Sequence, residues 1–197
     1  MKPEVKEDIK AFAAKSSTEW RKWLEKNGEK EKSVWLIIYK KDSGKPSVSY
    51  KEAVEEALCY GWIDSKPNKR DADSYYQFFS KRDPKSNWSK INKEKVERLI
   101  REGRMHKRGL AAIQIGKENG GWEALNEVDN SIVPEDLRKA LSKDSAALNN
   151  FNAFPKSSKK IILEWICIAK KEETRNSRIK KTVMLAAKNI RANHYRQ

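Results

Sequence analysis

Apolar positions along the chain change rhythm near residue 90, and the change predicts two kinds of structure. In the first stretch Trp20, Trp23 and Leu24 follow a Ser16–Glu19 capping signal, which predicts a helix closed by Asn27-Gly28. VWLIIYK (34–40) is short, β-branched and aromatic, so it predicts a strand; KDSGKP after it is a turn. A second capping signal, Ser49–Glu52, opens a helix with Val54, Ala57 and Leu58 on one face and Gly61 as its stop. SYYQFFS (74–80) predicts a second strand able to pair with the first. Between helix and strand, ALCYGWIDSKPNKRD ends in a loop, with Lys66-Pro67-Asn68 turning the chain.

From about Asn92 the spacing is helical throughout. NKEKVERLIREG carries Val96, Leu99 and Ile100 inward, and HKRGLAAIQIGKENGG carries Leu110, Ile113 and Gly116. Pro134 opens PEDLRKALSK at its first turn, and DSAALNNFNAF is a short helix. SSKKIILEWICIAKK places Ile161, Ile162, Trp165 and Ile168 on one face, and the last helix carries Ile179, Val183, Ala186, Ala187 and Ile190. The fold class predicted is α+β: a small N-terminal antiparallel sheet of two to three strands with packed helices, then an all-helical half. The boundary falls at 88/89, giving domains 1–88 and 89–197.

Charge adds a candidate function. The 197 residues carry a net +15, and 36% are charged. Residues 80–108 hold eleven cations against four acids, and 156–197 hold twelve against three. Such a field attracts polyanions, and Arg175, Arg178, Lys180, Lys181, Lys188 and Arg191 on the final helix form a candidate nucleic-acid surface. A solvated cationic face on a core helix explains the same residues. Seven Trp, six Tyr and five Phe argue for a folded chain.

Chemical motifs are sparse. The two histidines, His106 and His194, have no metal-ligand spacing, and no CxxC, GxSxG, Walker A or GxGxxG pattern occurs. No metal, cofactor or catalytic residue is therefore assigned. Cys59 could pair with His106 as a nucleophile, but its apolar setting favours a packed thiol. Two cysteines in helical apolar patterns, an N-terminus without an apolar leader and the lack of a spanning run lead to the expectation of a cytoplasmic protein.

CYGWIDSKPNKRDADSYYQFFSKRDPKSNWSKINKEKVERLIREGRM, and later FNAFPKSSKKIILEWICIAKKEETRNSRIKKTVMLAAKN, resemble the YdeI/OmpD-associated family, also labelled bacteriocin-protection or OmdA. The second stretch is similar to the family's C-terminal helical region, about 132–191. The resemblance implies a stress or envelope-protection role exercised by binding, with a porin as partner by name alone. It implies no reaction and no cofactor. The family's recurrent polar positions map onto Trp62, Asp64, Ser65, Arg82, Ser86, Trp88 and Ser89. Those residues suit a Trp-lined cleft for a small polar or anionic ligand. They equally suit a turn capped by Asp64 and Ser65, an Arg82–Asp64 pair, and two Trp filling the junction of the halves.

Overall fold

The computed structural model describes residues 4–194, which fall into two compact units that divide at 122/123. In the first unit, β2 (Ile9–Ala13), α1 (Ser17–Asn27), β3 (Ser33–Tyr39), α2 (Tyr50–Cys59), β4 (Trp62–Lys69) and β5 (Ser74–Lys81) follow a two-residue β1 (Val5–Lys6). The sheet runs β1-β2-β3-β5-β4. Its body is four strands, β2, β3, β5 and β4, with β1 adding a two-residue antiparallel rung on β2. The α+β class holds. The expected sheet of two to three antiparallel strands does not, because β2 lies parallel to β3 across the α1 connection, making the sheet mixed.

The predicted strands do pair, in an unbroken seven-residue register from Ser33↔Ser80 to Tyr39↔Ser74. The stretch expected to turn at Lys66-Pro67-Asn68 is instead β4, paired with β5 through a register shift between Asp64 and Pro67. β4 is the edge strand of the order, where a proline's missing N–H removes little pairing. The chain turns later, where Asp71 Oδ1 accepts the amides of Asp73 and Ser74.

Both capping signals form. Ser16 accepts from Glu19 N–H, and Ser49 and Glu52 close a reciprocal box. α2 ends at Tyr60, with Gly61 left-handed at φ 73°. α1 and α2 cover one sheet face, burying Trp20, Leu24, Val54, Ala57 and Leu58 with Leu36 and Phe79. That burial is the main stabilisation of the unit.

Helices α3 (Lys90–Arg101) and α4 (Lys107–Glu118) were expected to open the second domain, but both lie in the first unit. Val96, Leu99 and Ile113 join the core of α1 and α2. The compact units therefore divide at 122/123 and not at 88/89. Ile100 and Leu110, expected inward, are 46% and 45% exposed. Each sits next to the buried stripe of its helix, and the neighbouring positions Leu99 and Gly109 take the interior.

The second unit holds α5 (Asn126–Asp129), α6 (Glu135–Leu141), α7 (Ser145–Ala153), α8 (Lys156–Cys167) and α9 (Glu172–Ala187). Leu137, Leu141, Phe151, Ile162, Leu163, Ile166, Ile179 and Ala186 form its core. On α8 the buried stripe runs through Ile162, Leu163 and Ile166, while Ile161 and Ile168 stay exposed, against expectation. No helix among the described residues is long and apolar enough to cross a membrane.

Candidate anion pocket beside helix α4

Four tight contacts hold α4 in place. An added Cβ at Gly109 would stand 2.3 Å from the Cys59 carbonyl oxygen, and one at Gly116 would stand 2.3 Å from Trp88 Nε1. His106 N–H donates to the Cys59 carbonyl at 3.1 Å, and Trp88 N–H donates to that of Gly121 at 2.9 Å. The loop from Arg82 to Trp88 is fixed in turn. Arg82 N–H donates to the Gly61 carbonyl, Ser86 donates through N–H and Oγ to the Asp83 carbonyl, and Asn119 donates to that of Pro84.

Loop and helix enclose a pocket of about 200 Å³ lined by Arg82, Asp83, Pro84, Trp88, Arg108, Ala111, Ala112 and Ile115. From α4 come positions 108, 111, 112 and 115, one stripe of the helix. The Arg82 guanidinium lies 3.7 Å from the Trp88 ring centroid, a cation–π contact. Its Nη2 donates to the Asn87 carbonyl, but Nε and Nη1 are buried with no hydrogen-bond partner among the described residues. Burial pushes the Arg82 pKa down to about 10, so the group stays cationic at neutral pH.

Arg108 is similar. Its Nη2 donates to the Glu25 carbonyl at 3.0 Å and its Nε to His106 Nδ1 at 3.3 Å, while Nη1 is buried without a partner. Tyr60 stacks on His106 at 4.7 Å and carries Arg108 and Arg21 over its ring, at 5.1 and 5.2 Å. The three unpartnered N–H groups of Arg82 and Arg108 face packed protein and not the open volume of the pocket, and Arg108 Nε also lies 3.9 Å from the Glu29 carboxylate. Each such unpartnered donor costs about 1–3 kcal/mol.

The other predicted residues are placed apart from this pocket or serve its walls. Asp64 accepts a 2.6 Å hydrogen bond from Tyr50 Oη, whose pKa rises to about 12 through burial and this contact. The expected Arg82–Asp64 pair is therefore replaced by two separate arrangements. Ser65 lies in β4 and offers its carbonyl to Gln77, so neither residue caps a turn. Trp62 is buried in the first unit's core, edge-on to Trp23, its Nε1–H donating to the Gly28 carbonyl. Trp88 packs on Trp122 in the same core. Ser86 shapes the loop, and Ser89 caps α3 by accepting from Asn92 N–H. Of the seven, Arg82 and Trp88 line the pocket. Arg108 was missed because HKR looked like one more cationic surface run.

Cys59 is fully buried and burial raises its thiol pKa, which disfavours the thiolate a nucleophile needs. Ser158 Oγ stands 3.2 Å from His194 Nε2 in the second unit, but Ser158 is 1% exposed and serves packing. On α9, Arg175 pairs through two bonds with Asp136, and Arg178 donates to the Trp165 carbonyl and lies over its ring. The helix ends at Ala187, so Lys188 is its cap and Arg191 lies beyond it. Lys180 and Lys181 remain on the helix itself. The six cations proposed as one nucleic-acid surface thus have divided roles. Among the described residues, no three His, Cys, Asp or Glu side chains converge to hold a metal ion.

Two family models match the chain. Residues 12–112 match one described as "Domain of unknown function (DUF8412)", and residues 130–189 match one described as "Bacteriocin-protection, YdeI or OmpD-Associated". The second match supports the resemblance in the C-terminal region. The motif around Cys59–Met105 falls under the first model. Every residue lining the pocket except Ile115 lies within that first match. No curated protein and no solved structure matches the chain.

Proposed function

Because the chain belongs to the family described as Domain of unknown function (DUF8412), with a YdeI/OmpD-associated region C-terminal to it, we propose its function from the site. The first unit is a receptor for a small anion, bound between α4 and the Arg82–Trp88 loop. The observation that carries this is two cations, the half-buried Arg82 and Arg108, lining one pocket. An anion there would meet two positive charges, each strengthened by partial removal from water. The bacteriocin protection named in the description that matches residues 130–189 would then draw on binding by the first unit.

A thermal-shift series with acetate, phosphate and sulfate, against chloride at equal ionic strength, tests the receptor. Anion at ten times its Kd stabilises the native state by about 1.4 kcal/mol, a rise of roughly 3–6 °C. Arg82→Gln should abolish the rise. Equal melting temperatures in all four salts would refute the receptor. A deletion strain complemented with Arg82→Gln should remain sensitive to cationic peptides; full protection by that variant would separate the pocket from the cellular role.

A further inference from the structure

The sheet of the first unit has a second face. α1 and α2 cover the face that carries Val34, Leu36 and Phe79. Strand residues alternate between faces, so Trp35 and Ile37 on β3 point to the other, with their β5 partners Phe78 and Tyr76. Trp35 is nevertheless 0% exposed and Ile37 only 4%. Tyr76 and Phe78 stand edge-on beside the Trp35 ring, and the ammonium groups of Lys6 and Lys66 lie over it at 5.8 and 5.6 Å. Lys6 belongs to β1, which pairs with β2 through two residues.

We propose that residues 4–8 form a lid over this aromatic patch, latched by Glu4 on Arg70 and opening while the rest of the first unit stays folded. The latch is small. The Glu4 carboxylate accepts from Arg70 Nε at 2.9 Å, from Arg70 Nη2 at 2.8 Å and from Tyr76 Oη. Glu7 adds an ion pair with Lys66 at 3.6 Å, in which both side chains are more than half exposed. Charged contacts this open to water contribute little each, so the lid is held by few groups. β3 and β5, in contrast, pair over seven residues without a break.

Two features oppose closure. The Lys6↔Ile9 pair leaves Glu7-Asp8 as a two-residue hairpin turn, with φ of 52° and 59°. Both residues of such a turn must be left-handed, which favours Asn-Gly and disfavours Glu. The second feature is Trp35 Nε1, buried beneath the lid with no hydrogen-bond partner among the described residues. Opening relaxes the turn and gives that N–H a water. A segment with few contacts and a strained hinge opens locally, ahead of the core. The patch it bares is Trp35, Ile37, Tyr76 and Phe78.

Hydrogen exchange of the Trp35 indole N–H, followed by NMR on the full chain and assigned with Trp35→Phe, tests the lid. With no hydrogen bond, that proton is shielded by burial alone. Its protection factor should be at least about tenfold below those of the β3–β5 amides and insensitive to low urea, because a local opening exposes little surface. Glu4→Ala, at a side chain 38% exposed, should lower the protection about tenfold further, with the β3–β5 amides still the better protected. Asp8→Gly, which suits a left-handed position, should raise it. Indole protection equal to that of the sheet amides, with the same urea dependence, would overturn the lid. So would exchange as fast as that of an exposed indole, or protection unchanged by Glu4→Ala.

Discussion

Replacing Gly109 by Ala puts two opposite effects on one residue. Gly109 is inside α4, where alanine's helix preference should stabilise by about 1 kcal/mol. The added Cβ, however, would stand 2.3 Å from the Cys59 carbonyl oxygen, 2.7 Å from its carbonyl carbon and 2.7 Å from Met105 Cε. Met105 can swing aside, but the other two contacts are backbone at the end of α2, held by the His106-to-Cys59 bond. Restoring ordinary contact distance requires α4 to retreat by about 1 Å. Overpacking of this kind costs about 1–3 kcal/mol, and a contact this close to rigid backbone belongs at the upper end.

The net expectation is a loss of about 2 kcal/mol for the first unit. Because the same helix carries Arg108, Ala111, Ala112 and Ile115, anion affinity should fall with stability. Urea unfolding followed by Trp fluorescence measures the first quantity, and an acetate titration measures the second. A midpoint at or above wild type would refute the reasoning, since it would mean that helix preference outweighs the backbone contact. Lower stability with unchanged affinity would refute the coupling of α4 to the pocket.

Three other perturbations have definite signs. His106 has its pKa lowered, first by burial and then by the charges of Arg108 and Lys107. The unfolded chain therefore binds its proton more readily, and the stability present above the ordinary histidine value of 6.5 is lost as pH falls through the depressed folded value. His106→Gln should flatten that limb of a melting-temperature profile between pH 7 and 5, and an unchanged limb would exclude His106 as its source. Glu56→Gln leaves Arg21 and Arg104 without the carboxylate they meet at 2.7 and 2.6 Å, at a cost of about 2 kcal/mol, reduced because both arginines are about one-third exposed; a urea midpoint equal to wild type would contradict it. Asp136→Asn removes the charge and one of the two bonds to Arg175 and should cost less than about 1 kcal/mol, an effect that shrinks at high salt and that a salt-independent loss would contradict.

What could be read from the sequence was what a short window determines. The box at Ser49, the Ser16 half of the one before it, the stop at Gly61 and the strands at 34–40 and 74–80 each depend on neighbours within a few residues, and these form; Glu19 takes the Lys15 amide and so leaves the first box half closed. β2 was missed because IKAFA is short and holds a lysine, and it is a strand through parallel pairing with β3, a partner more than twenty residues away. β4 was hidden by Pro67 and by Lys66 and Lys69, features of an edge strand that look like a turn when no partner is in view. Periodicity identified α3 and α4 as helices but could not say which core they serve. Val96 and Leu99 bury against the first unit's core, so the change of rhythm near residue 90 is not the border between units.

The candidate site raises the same difficulty at a single residue. The family resemblance singled out Arg82, and one reading of the sequence gave it Asp64 as a partner across a turn. In the structure Tyr50 takes Asp64, and Arg82 lies on Trp88 with two N–H groups unpartnered. The difference decides function. Paired with Asp64, Arg82 would be a satisfied structural cation with nothing left to offer a ligand. Given to Tyr50, Asp64 leaves Arg82 a half-buried positive charge with no carboxylate partner among the described residues, and Arg108 adds a second cation to the same pocket. An unpaired charge is defined by what fails to fold against it, a property of the assembled core and not of any window of residues. The side chain most informative about function is therefore the one whose expected local partner proved to be engaged elsewhere.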